Sequence, residues 1–120
     1  MSFIKSKSEL IEYFLKGIKN QNQLKIGVEH EKFLFSGKEK RRVNYEELKI
    51  IFKKLEKFNW KPIYEKESII GLKRGEQQIT TEPGLQYELS GAPLKNIHLV
   101  CSESSSHFKE IKEVTKDTEI

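Results

Sequence analysis

The chain has 120 residues, 36% apolar and 33% charged, with 22 Lys plus Arg against 18 Asp plus Glu for a formal charge of +4. That length suits one domain, and a mild, sign-mixed charge lacks the concentrated basic stripe of a nucleic-acid binder. The single cysteine, Cys101, excludes an internal disulfide framework and a multi-cysteine metal site. No apolar run approaches the roughly 20 residues that span a bilayer, and the opening MSFIKSKSEL has no uninterrupted signal-peptide core. The expected setting is therefore cytoplasmic, with neither membrane nor nucleic acid as partner.

Ser6 and Glu9 have capping-box spacing, and Leu10, Ile11, Phe14, Leu15 and Ile18 recur at helical intervals. The spacing predicts an amphipathic helix over 7–19. LKIGVEHEKFLF then alternates as a strand, with Gly27, Glu29, Glu31 and Phe33 on one face and Ile26, Val28, His30 and Leu34 on the other. The dense run Lys38-Glu39-Lys40-Arg41-Arg42 reads as a solvated loop.

A second capping pair, Asn44 and Glu47, precedes Leu48, Ile51, Phe52 and Leu55, which predicts a helix over 45–57 whose stripe covers a sheet. WKPIYE, SIIGLKRG, EQQITTE and LQYELS read as short strands joined by polar or glycine turns. After Pro93, the positions Ile97, Val100, Cys101, Phe108, Ile111 and Val114 predict a helix over about 93–116. The order implies an α+β fold, a mainly antiparallel sheet with helices on one face.

Such a sheet leaves its other face open. Glu29 and Glu31 belong there, and Glu82, Gln86 and Glu88 share their parity, provided Pro83-Gly84 does not reset the register. Four carboxylates on one surface repel unless a cation sits among them, and hard oxygen ligands suit Mg²⁺ completed by substrate phosphates. The competing reading is a merely solvated strand face. His30 points away from the two glutamates and reads as a packing residue; His98 and His107 read as structural or exposed, and Cys101 as a small buried side chain. The chain has no zincin pair, Walker loop or G-x-S-x-G elbow, and no catalytic nucleophile is assigned.

IGVEHEKF and IIGLKRGEQQITTEPGLQYELSGAPLKNIHLVCSESSSHFKEIKEV closely resemble the N-terminal part of glutamate–cysteine ligase of the plant and bacterial type. The likeness spans roughly residues 24–116, and the EPG-x-Q-x-ELSGAP block is its most specific part. The resemblance implies a curved antiparallel sheet like that of glutamine synthetase. It also implies a reaction: ATP phosphorylates the γ-carboxylate of L-glutamate, and the amine of L-cysteine displaces phosphate to give γ-glutamylcysteine, the first step of glutathione synthesis. On that likeness Glu29, Glu31, Glu82 and Glu88 would hold Mg²⁺, with Gln86 beside the metal or nucleotide. Bound Mg²⁺ neutralises and aligns the phosphoryl group without a protein nucleophile.

Two departures stand out. The family usually has Gly-Gly after the Pro of this block, and here Leu85 replaces the second glycine, which would strain a position needing positive φ. Family chains are also several hundred residues long, with the groups that recognise glutamate further downstream. Residues 1–120 are accordingly expected to be the N-terminal portion of one catalytic domain, partnered by the remainder of that domain downstream or on a split chain. Two alternatives stay open: another carboxylate–amine ligase on the same scaffold, and a non-catalytic Mg-ATP-binding half that needs a partner chain.

Overall fold

The computed structural model describes residues 3–120. Helix α1 spans Lys7–Lys16, with Ser6 as its N-cap accepting the Glu9 amide at 3.2 Å. It ends earlier than the expected 19 because the Gly17 amide folds back onto the Phe14 carbonyl. None of its residues is buried. The stripe is amphipathic as read, but Leu10, Ile11, Phe14 and Leu15 stay exposed and α1 does not help to cover the sheet.

The strands are β1 (Glu29–Lys32), β2 (Phe35–Ser36), β3 (Arg41–Arg42), β4 (Lys61–Glu65), β5 (Ser68–Arg74), β6 (Gln77–Glu82) and β7 (Gln86–Ser90). Five form one antiparallel sheet in the order β1-β7-β6-β5-β4, and β2 pairs with β3 as a small separate hairpin. The expected long first strand is thus divided. Beyond Ser90 the pairing with β1 thins to the Gly91 amide on the Val28 carbonyl and an isolated Ile26–Leu94 bridge. Pro93 has no amide with which to continue the ladder.

The basic run is exposed but not simply a loop. Its end forms β3, where Arg41 makes two bonds of 2.7 and 2.8 Å to Glu47 and Arg42 lies 4.1 Å over the Phe33 ring.

Helix α2 (Tyr45–Leu55) begins with the complete Asn44/Glu47 capping box and buries Leu48, Ile51, Phe52 and Leu55, as its period predicted. Helix α3 (Ile97–Thr115) starts at the cap Asn96 rather than at Pro93. Both helices share one core with Trp60, Leu72, Ile79, Tyr87 and Leu89. The odd residues of β7 therefore face the helices and its even residues face away.

The α3 face differs from the one expected. It buries Val100, His107, Glu110 and Val114, whereas Cys101 is exposed, as are half of Phe108 and Ile97. The apolar count misplaced the stripe because its inner positions are partly polar. Glu110 accepts the Trp60 indole N–H at 2.9 Å and pairs with Arg74 at 2.6 Å, while the Arg74 guanidinium lies 4.2 Å over the Trp60 ring. Buried charge is retained where it is paired and fully bonded.

Candidate functional site

The hydrogen-bonded ladders settle the register of the open face. Glu31 lies directly opposite Glu88, and Glu88 in turn lies opposite Thr80. Glu29 faces Ser90, and Glu82 faces Gln86 across the β6–β7 hairpin. All five residues singled out from the sequence thus occupy one face, and the Pro83-Gly84 turn leaves their parity intact.

Their surroundings differ. Glu29, Glu31 and Glu82 are exposed, Gln86 is half-buried, and Glu88 retains only 7% exposure. Ser90 Oγ donates to Glu88 Oε1 at 2.6 Å, and Gln86 Nε2 donates to Glu31 Oε2. Glu31 with Gln86 and Glu88 with Ser90 are thus two bonded pairs set side by side on the β1–β7 ladder, with Glu29 one step along β1 and Glu82 at the hairpin end of β6. Among the described residues, none of the four carboxylates is paired with a lysine or arginine, and no three His, Cys, Asp or Glu side chains converge into a ready-made metal cage.

The donor set suits a hard cation all the same. Carboxylates and one amide side chain supply oxygen only, and Mg²⁺ takes few protein ligands because it keeps waters and binds substrate phosphates. Glu88 is the strongest indication: a nearly buried carboxylate with one hydroxyl partner and no counter-charge is costly unless a cation completes it.

Two turns hold this face. In the β6–β7 turn Gly84 has φ 75° and Leu85 φ 58°, so the side chain standing at the second glycine position does sit in the left-handed region. Leu85 packs on the core edge, and Arg42 donates to the Gly84 carbonyl. After β7, Gly91 is hemmed in: a Cβ there would lie 2.9 Å from the Val28 carbonyl oxygen and would also strike the Glu103 carboxylate. Glu103 Oε1 accepts the Ala92 amide at 2.9 Å and Gln77 Nε2 at 2.7 Å, latching α3 to the end of the site. Glu103 was missed in the sequence. Its only signal was a polar residue at helical spacing from Val100, His107 and Val114.

The helix side is distinct from this face. His30 lies there edge-on to Phe108 with ring centroids 5.4 Å apart, as its parity predicted, and His98 is exposed. His107 is buried and stacks on Tyr87 at 5.6 Å, and among the described residues neither its ring nitrogens nor the Tyr87 hydroxyl has a partner. Burial, reinforced by the positive charges of Lys32, His30 and Arg74, pushes the His107 pKa down to about 3. Burial likewise lowers Lys32, whose ammonium lies 5.0 Å over the Phe108 ring, and raises Tyr87.

Fold and face together define an α+β protein with an acidic, oxygen-rich open sheet. The family model for glutamate–cysteine ligase family 2 matches residues 25–119. The chain is 42% identical over 113 residues to the chloroplastic glutamate–cysteine ligase of Medicago truncatula and to ligase A of Oryza sativa subsp. japonica, and 41% identical to that of Nicotiana tabacum. The alignments cover 93% of this chain but only 22–23% of those relatives, so it spans under a quarter of their length. The chain belongs to glutamate–cysteine ligase family 2. Among the described residues no helix is long and apolar enough to cross a membrane.

Proposed function

We propose that residues 1–120 form the N-terminal portion of one catalytic domain that joins the γ-carboxylate of L-glutamate to L-cysteine at the expense of ATP. γ-Glutamyl phosphate is the activated acid in this reading, and the product opens glutathione synthesis. The observation that carries it is the Glu31–Glu88 pair: two carboxylates opposed on an open face, each held by one neutral donor and neither given a cationic partner.

Glu31 and Glu88 would hold Mg²⁺, with Glu29 and Glu82 flanking it. The metal would supply charge neutralisation at the transferring phosphoryl group. The chain's own residues orient the ligands. Ser90 binds one oxygen of Glu88 and leaves the other free. Gln86 does the same for Glu31, which makes it a neighbour of the metal rather than a ligand through nitrogen. The wider likeness to the glutamine synthetase sheet, the remainder of the domain as partner and an aqueous, reducing compartment such as the cytoplasm belong to the same proposal.

The test is formation of γ-glutamylcysteine with the remainder of the domain supplied in cis or as a second chain. Glu88→Gln should lower magnesium-dependent turnover by at least a hundredfold with the fold intact. Near-normal turnover in that variant removes Glu88 from the site. Equal product with other amines in place of cysteine moves the assignment to a different carboxylate–amine ligase.

A further inference from the structure

The β6–β7 turn holds one residue in a conformation it resists. Glu82 and Gln86 pair across the turn, and Pro83-Gly84-Leu85 close it, with Gly84 at φ 75° and Leu85 at φ 58°. Glycine adopts that region freely, whereas a leucine Cβ crowds the backbone there. Leu85 has a route out. The peptide between Gly84 and Leu85 is a rigid plane, so turning it over changes only the ψ of Gly84 and the φ of Leu85. That rotation carries Leu85 to negative φ, and Gly84 accepts the new ψ without a clash. Turn conformation sets how hairpin strands meet, so the rotated turn no longer fits the Glu82–Gln86 pair. Gln86 is also the donor that holds Glu31.

One side chain opposes the rotation. Arg42 donates to the Gly84 carbonyl, the oxygen of that same peptide. Its guanidinium lies 4.1 Å over the Phe33 ring and 5.8 Å from that of Phe35, and among the described residues it pairs with no acid. Phe33 is two residues past Glu31, so Arg42 spans from the end of β1 to the hairpin tip. Its own backbone is anchored. Arg42 pairs with Phe35 in the β2–β3 ladder, and its carbonyl accepts from Arg41, which Glu47 holds at the start of α2.

We propose that Arg42 is a positioning residue: it locks the Gly84–Leu85 peptide against rotation and so keeps Glu82, Gln86 and Glu31 in the alignment that binds a divalent cation. The cation-binding half of this statement rests on the magnesium reading of the open face; the lock does not.

Calorimetric titration of the 120-residue chain with magnesium chloride, joined to the amide–α-proton coupling of Leu85 that reports its φ, tests both halves. Removing a positive charge beside carboxylates should by electrostatics alone tighten cation binding. Arg42→Gln should instead weaken it about fivefold, the weight of one hydrogen bond, and Arg42→Lys, which keeps a donor, should restore part of the loss. In a Leu85→Gly background the strain is gone, and Arg42→Gln should change binding by less than about twofold. The Leu85 coupling should move toward the extended value in Arg42→Gln. With a wild type that binds magnesium, unchanged or tighter binding in Arg42→Gln, or equal weakening in both backgrounds, overturns the proposal. If the wild type binds no magnesium at millimolar concentration, the metal reading fails and the coupling decides the lock: a Leu85 φ indifferent to Arg42→Gln overturns it, and a shifted one upholds it.

Discussion

Glu31 and Glu88 stand opposite each other in the β1–β7 ladder, one exposed and one nearly buried, each tied to a single neutral donor. Opposed like charges cost roughly 0.2–1 kcal/mol without a counter-ion. In a metal-free buffer, Glu88→Gln should therefore raise stability by about 0.5 kcal/mol, since the amide oxygen can still accept from Ser90. Millimolar magnesium should stabilise the wild type and not the variant. Thermal unfolding with and without magnesium reads both effects, and a wild-type midpoint indifferent to magnesium contradicts the metal assignment.

His107 sets an acid limit. An unfolded histidine titrates near 6.5, and in the fold burial and the charges of Lys32, His30 and Arg74 bring His107 to about 3. The folded state thus refuses a proton that the unfolded state takes up. Stability is fully present above 6.5 and falls as pH drops toward the folded value. Linkage puts the loss at about 2 kcal/mol between pH 7 and pH 5. Urea unfolding at the two pH values should show it in the wild type, and His107→Phe should flatten the difference. An unchanged slope in a folded variant would place the titration elsewhere.

Leu85 inverts a familiar ranking. At φ 58° a Cβ costs about 1–2 kcal/mol, which glycine avoids. Leu85→Ala keeps that strain and loses the contact with the core, whereas Leu85→Gly loses the contact and the strain together. The glycine variant should be more stable than the alanine variant by about 1 kcal/mol in urea unfolding. The opposite order would show that the turn is not left-handed at this residue.

Glu110 joins two elements through one carboxylate, with Trp60 on one oxygen and Arg74 on the other. Glu110→Ala leaves a half-buried guanidinium unpaired and should cost about 3 kcal/mol. Glu110→Gln retains an acceptor for the indole and should cost about half as much. Equal losses in the two variants would mean that helix packing, not the charge, sets the penalty.

The sheet and its open face were legible because period-two alternation survives in short strands: Glu29 and Glu31 on β1, and Gln86 and Glu88 on β7, kept the parity read from the sequence. The α2 stripe was equally plain, since Leu48, Ile51, Phe52 and Leu55 are all apolar. The α3 face was not, because Glu103, His107 and Glu110 hold inner positions and count as polar in any apolar tally. Cys101 was drawn into the wrong stripe by the same count. The thinning of the first strand before Glu29 depended on Pro93, a residue some sixty positions away that removes a ladder donor. The exposure of α1 could not be read from its own sequence, since amphipathicity states what a helix can bury and not whether a surface meets it.

The Glu103 latch has a mechanical consequence. One carboxylate ties α3 to the first amide beyond the Ser90-Gly91 step and to Gln77 at the start of β6. Helix and open face are thereby geared together, so that lifting α3 frees the Ala92 amide and the end of β7 in the same event. Proton exchange at Ala92 should then keep time with exchange in the middle of α3, and a molecule that stiffens the open face will slow the helix on the far side of the sheet.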